Sequence, residues 1–101
     1  MDNNRVQTED AAEPVTIGGV TFDNNFYDRD VDVLYLHVGD PESAADFDAT
    51  AEGDHTRFGP DGDLVGLTIL IAKRRLERDG VIEVTLSGRH LAVRDLAAVL
   101  D

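Results

Sequence analysis

Tyr35 and His37 stand two residues apart in the run DVLYLHVGD, between Asp32 and Asp40. An imidazole that titrates near neutrality, beside a phenol and carboxylates, is the material of general acid–base catalysis. Alternation puts the pair on one face of a strand with Val33, while Leu34, Leu36 and Val38 share the other. A core strand whose second face meets solvent or a partner has the same pattern. Nothing in the sequence shows the cleft that a perturbed pKa requires, so no catalytic residue is assigned.

Metal chemistry has three histidines to draw on, His37, His55 and His90, and none has an i, i+4 or recognised zinc spacing. His37 and His55 share a sheet if the strands pair as expected below. With nearby Asp side chains they make the alternative reading, a small-ligand or metal-dependent enzyme. A calcium loop starting at Asp28 fails at its sixth position, Val33, and at its twelfth, Gly39, where glycine and glutamate are needed. Ser43 and Ser87 sit in turns without a nucleophile-elbow context. Gly18-Gly19 lies between strand-like pieces and not before a helix, so no phosphate cradle is present. Neither metal nor cofactor is expected.

One charge feature stands apart. Lys73, Arg74, Arg75 and Arg78 place four of the nine basic residues within six positions. They are either a solvated helix face that neutralises the protein's own acids, or a basic spot for an acidic partner or phosphate. Elsewhere acid dominates: the formal charge is −12, and fifteen of the 21 acids are Asp. Such a surface repels phosphate backbones and anionic membranes, which excludes nucleic acid and membrane as partners. The Asp-rich, Lys-poor usage fits salt adaptation or generic solubility with codon bias. Cysteine is absent, which removes thiolate catalysis and disulfides and suits a reducing compartment. No run approaches the roughly 20 apolar residues of a membrane helix, and residues 1–14 lack the basic start and apolar stretch of a secretory signal. A cytoplasmic protein is expected.

The elements that must position these residues follow from periodicity. Residues 1–14 read as a disordered acidic tail, and 15–101 as a single domain. VTIGGVTF gives a bulged strand or small hairpin, and DNNFYDRD a loop. The strand at 31–38 ends at Asp40-Pro41. AADFD is a candidate edge strand with Phe47 inward. Strands near 54–58 and 63–70 flank Gly59-Pro60-Asp61-Gly62, where Gly62 takes the left-handed turn position. The second of them is apolar on both faces and therefore central. AKRRLERDG reads as a short helix stopped by Gly80, VIEVTL as a strand, and Val93, Leu96, Ala97 and Leu100 as the stripe of a final helix. The expected fold is α+β: an antiparallel meander sheet of four to six strands packed with one or two short helices.

Several of these residues form a familiar pattern: Tyr27-Asp28, Asp32-Val33-Leu34-Tyr35, Asp61-Gly62-Asp63-Leu64-Val65-Gly66 with Ile69, then Arg74-Arg75. It resembles the prokaryotic domain-of-unknown-function family numbered 2283, in the actinobacterial and archaeal variety with LYLHVGDP and LER-D-G, over about residues 15–86. The resemblance implies a small α+β meander domain and antitoxin-like or accessory partnerships, and it carries over no catalytic residue. Gly62 serves the turn, and Gly66 leaves one face of a central strand bare for close approach. Two short helices cannot cover both faces of such a sheet, although both faces of the central strands are apolar. The leading expectation is therefore a non-enzymatic interaction module, a homo-oligomer or the companion of a small protein. Val33, Tyr35 and His37 would form its interface, and Lys73, Arg74, Arg75 and Arg78 are a further candidate surface.

Overall fold

The apolar run 64–70 becomes the central strand around which the other elements pair. The computed structural model describes residues 14–40, 44–94, 96 and 99–100. Its elements are β1 (Val15–Ile17), β2 (Val20–Phe22), β3 (Asn24–Asp28), β4 (Val33–His37), β5 (Asp46–Ala49), β6 (His55–Phe58), β7 (Leu64–Leu70), α1 (Ala72–Asp79), β8 (Ile82–Leu86) and β9 (Arg89–Val93). Five strands form one antiparallel sheet in the order β3-β4-β7-β6-β5, and β1-β2 and β8-β9 are separate two-stranded hairpins. This is the expected α+β meander class, with one short helix among the described residues.

Turn chemistry sets the β6–β7 hairpin. Gly62 has φ 86 and its N–H donates to the Gly59 carbonyl at 2.9 Å. Pairing then steps from Arg57↔Gly66 to Phe58↔Leu64, so Val65 is the extra residue of a bulge. At the end of β7 the chain enters α1 through Ile71 at φ 44, a left-handed backbone that a β-branched residue rarely adopts. Gly80, at φ 76, closes the helix by donating its N–H to the Leu76 carbonyl at 2.8 Å.

All the covering elements lie on one face of the sheet. Leu34, Leu36, Leu67 and Ile69 are buried there against Val15, Ile17 and Phe22 of the first hairpin. The same core takes Ala72 of α1, Ile82, Val84 and Leu86 of β8, and Leu96, Val99 and Leu100 beyond β9. Each such side chain contributes roughly 1.5–3 kcal/mol when fully buried, so this face carries most of the apolar stabilisation.

Three expectations are corrected. Residues 24–28 form strand β3 and not a loop, because the Asn side chains bond outward: Asn24 Nδ2 donates to the Gly39 carbonyl at 2.8 Å and Asn25 Nδ2 to the Phe22 carbonyl at 3.0 Å. Phe47 lies on an edge strand as expected but points outward and is 69% exposed, since its register puts it beside Arg57. Val93 belongs to β9, so a helix does not begin there; Ala97, and residues 1–13 of the tail, lie outside the described residues.

The elements converge on Asp54, fully buried, and Arg75, 12% exposed at its side chain. Arg75 Nη1 donates to Asp54 Oδ1 at 2.8 Å and Nη2 to Oδ2 at 3.2 Å. The same guanidinium donates to the carbonyls of Leu70 (3.0 Å) and Glu83 (3.1 Å), and Asp54 Oδ1 also accepts the Leu70 N–H at 3.0 Å. Removing one partner of a buried pair leaves an uncompensated charge, a loss of about 3–5 kcal/mol. Arg75→Met and Asp54→Ala should each destabilise by that amount in urea titration, with the double variant well short of their sum. Single losses below about 1 kcal/mol that simply add would contradict this role.

Candidate functional site

The far face of the sheet carries no covering element among the described residues, and register arranges its side chains in rows. Asn24, His37, Gly66, Arg57 and Phe47 lie side by side across the five strands. Phe26, Tyr35, Thr68, His55 and Ala49 form the next row, and Asp28, Val33 and Leu70 a third. Asp28 and Arg57 are the only Asp, Glu, Lys or Arg among these residues, in a chain that is 30% charged. Phe26 is 62% exposed and Tyr35 39%, and their rings stack with centroids 6.1 Å apart. The Arg57 guanidinium lies 5.6 Å from the centroid of the Phe47 ring, a cation–π contact. Large exposed aromatics gathered on one charge-poor surface set this face apart from the rest of the described surface.

Gly66 explains the first row. A Cβ at this position would lie 2.9 Å from His37 Cδ2 and 3.1 Å from Arg57 Cβ, so glycine lets both side chains converge over the central strand. His37 is 5% exposed, and neither ring nitrogen has a hydrogen-bond partner. A buried polar group left unpaired costs about 1–3 kcal/mol, so this imidazole keeps hydrogen-bonding capacity that no described residue fills. Beside it Asn24, Phe26, Tyr35, Arg57 and Thr68 help to line a cleft of about 210 Å³.

Val33, Tyr35 and His37 therefore share the open face, as their spacing implies. His55 is on the same face, but the central strand β7 separates its strand from that of His37. His90 is elsewhere, 3.3 Å from Glu83 on the surface. No group of three or more His, Asp or Glu that could hold a metal ion occurs among the described residues.

The basic cluster is divided by the helix. Arg75 turns inward to Asp54, Arg78 pairs with its exposed neighbour Asp79 at 3.0 Å, and Lys73 and Arg74 are exposed. The backbone of Lys73 and Arg74 has a separate task. Asp32, itself left-handed at φ 57, accepts their N–H groups on its carboxylate at 2.7 and 3.1 Å and that of Ala72 on its carbonyl at 3.0 Å. A residue from the distant β3–β4 turn thus supplies the cap that Ile71 cannot. Tyr27 donates its hydroxyl to the same carboxylate at 2.7 Å; burial and this bond push the phenol pKa up to about 12.

Sequence reasoning did not single out Phe26, Phe47 or Arg57 as members of the site. Register alone assembles them. The paired residues of β3, β4 and β6 name the row, but the sequence names no pairing.

Residues 26–73 match the model of a family described as "Protein of unknown function (DUF2283)". The matched stretch runs from within β3 to the first turn of α1, which includes nearly the whole five-stranded sheet and the Asp32 cap. No curated protein and no solved structure matches the chain. No helix among the described residues is long and apolar enough to cross a membrane.

Burial alone would raise the pKa of Asp32, but the Tyr27 hydroxyl, the two helix N–H groups and the Arg74 charge outweigh it and hold it below its ordinary value of 3.8. The unfolded chain then binds this proton more readily, so the contribution of Asp32 is complete above about pH 4–5 and is lost as pH falls through the depressed value. Asp32→Asn should flatten the fall in unfolding free energy between about pH 5 and pH 3, measured by urea titration at each pH. A slope equal to that of the unsubstituted protein would remove Asp32 from this role.

Proposed function

We propose that this chain, whose residues 26–73 match the DUF2283 family model, is a non-enzymatic interaction module that docks a second copy of itself on the open face. The observation that carries this reading is the set of exposed aromatics, Phe26, Tyr35 and Phe47, on a surface almost without charge. A chain of net charge −12 repels its own copies. Self-association must therefore use a surface poor in acids, and the open face meets that requirement. Strands about 4.8 Å apart and roughly five residues long give a five-stranded face on the order of 400 Å² in plan. Side-chain relief brings this to the low end of specific interfaces, roughly 1,200 Å² over both partners. Tyrosine suits such a surface because it joins a large apolar area to a polar tip.

Multi-angle light scattering at about 100 μM should give a dimer. Tyr35→Asp should give a monomer whose stability in urea stays within about 1 kcal/mol of the unsubstituted protein, because the side chain is outside the core. A monomer at that concentration, or a dimer indifferent to Tyr35→Asp, would contradict the proposal.

A further inference from the structure

We infer that the two copies are registered by Asp28 of each entering the His37–Arg57 clasp of the other, about a two-fold axis that runs through Tyr35; this rests on the docking reading above. The clasp brings together two side chains without a carboxylate partner among the described residues. His37 is nine-tenths buried with both nitrogens unpartnered, and Arg57, converging with it over Gly66, has an aromatic ring for company. In a chain with 21 acids, no Arg57–carboxylate ion pair occurs among the described residues. An imidazole offers at least one N–H in every protonation state, and a guanidinium offers five. A carboxylate can accept from an imidazole N–H and from the guanidinium together.

Asp28 is the one Asp or Glu in the three rows of this face, and it cannot serve its own clasp. It lies two strands and two rows from Gly66, over which the clasp closes. Face-to-face packing changes that. Two copies of one sheet face are related by a two-fold axis lying in the plane between them. An axis that bisects the line from Asp28 to Gly66 brings each over the other in the opposite copy, so one contact occurs twice. The midpoint of that line is one strand and one row from each end, and the residue there is Tyr35. The two Tyr35 rings then meet at the axis, with Phe26 stacked beside each. The geometry explains why a charge-poor face keeps one acid and one arginine.

Charge exchange tests this register. Arg57→Glu and Asp28→Lys should each weaken dimerisation by roughly 100-fold or more in sedimentation equilibrium. An equimolar mixture of the two should form a heterodimer within about tenfold of the original affinity, since one of its contacts is the native pair and the other is the same pair with its charges exchanged. The double variant should self-associate likewise. Arg57→Gln and Asp28→Asn provide milder versions in case a reversed charge impairs folding, and each should weaken association by about tenfold; far-ultraviolet dichroism checks that every variant folds. Folded single variants that dimerise normally, or a mixture and a double variant that stay monomeric, would overturn the register while leaving docking intact. A monomeric unsubstituted protein would instead refute docking itself.

Discussion

The bidentate contact between Arg75 and Asp54 is the interaction on which the remaining architecture rests. Asp54 ends the turn before β6, Leu70 ends β7, Arg75 closes the first turn of α1, and Glu83 lies in β8; one guanidinium ties all of these together. Beside it, the Glu52 carboxylate of the β5–β6 turn accepts the N–H and hydroxyl of Thr85 at 2.9 and 2.7 Å, a second tie to the last hairpin. Charges withdrawn from water are tolerated only when their hydrogen-bonding capacity is filled, and here most of it is. Asp32 does the equivalent work at the helix start, where it joins the β3–β4 turn to three backbone N–H groups. Two aspartates from distant loops thus clamp α1 at both sides of the left-handed Ile71.

That clamp holds α1 against the sheet, and apolar packing places the first hairpin on the same side. With α1 and both hairpins packed on the Leu34–Leu67 side, the opposite side keeps only its own side chains among the described residues. Those side chains are unlike the rest of the surface: stacked aromatics, a threonine, two histidines, one aspartate and one arginine. The closed face is an ordinary core. The open face has the composition of an interface, including the aromatic enrichment and the scarcity of Lys and Glu that mark buried contact patches.

The alternation in 33–37 and 64–70, the turn at Gly59–Gly62 and the stop at Gly80 were legible in the sequence because each depends on local geometry. Placing Tyr35 and His37 on the face away from Leu34 and Leu36 needed only the period of a strand. Strand β3 was not legible, because its asparagines suit a loop until their amides find carbonyls outside it. Phe47 illustrates another limit. In a four-residue edge strand of DFDA a one-residue slip reverses every side chain, and only pairing with β6 chooses. Val93 satisfies a helical stripe and a strand equally well, and the hairpin of β9 with β8 decides the outcome. Arg75 was grouped with its basic neighbours for the same reason: the inward turn of a helical arginine depends on where the helix docks, and Asp54 has no local mark of burial.

In the proposed dimer, the sheet face opposite the Arg75–Asp54 clamp is closed by a second copy. An isotope-filtered nuclear Overhauser experiment on a mixture of carbon-13-labelled and unlabelled chains observes contacts between copies alone. Cross-copy signals are expected from the rings of Tyr35 and Phe26 to the open face of the other chain. Signals confined to the β5 edge or the helix, with none from Tyr35, would contradict it.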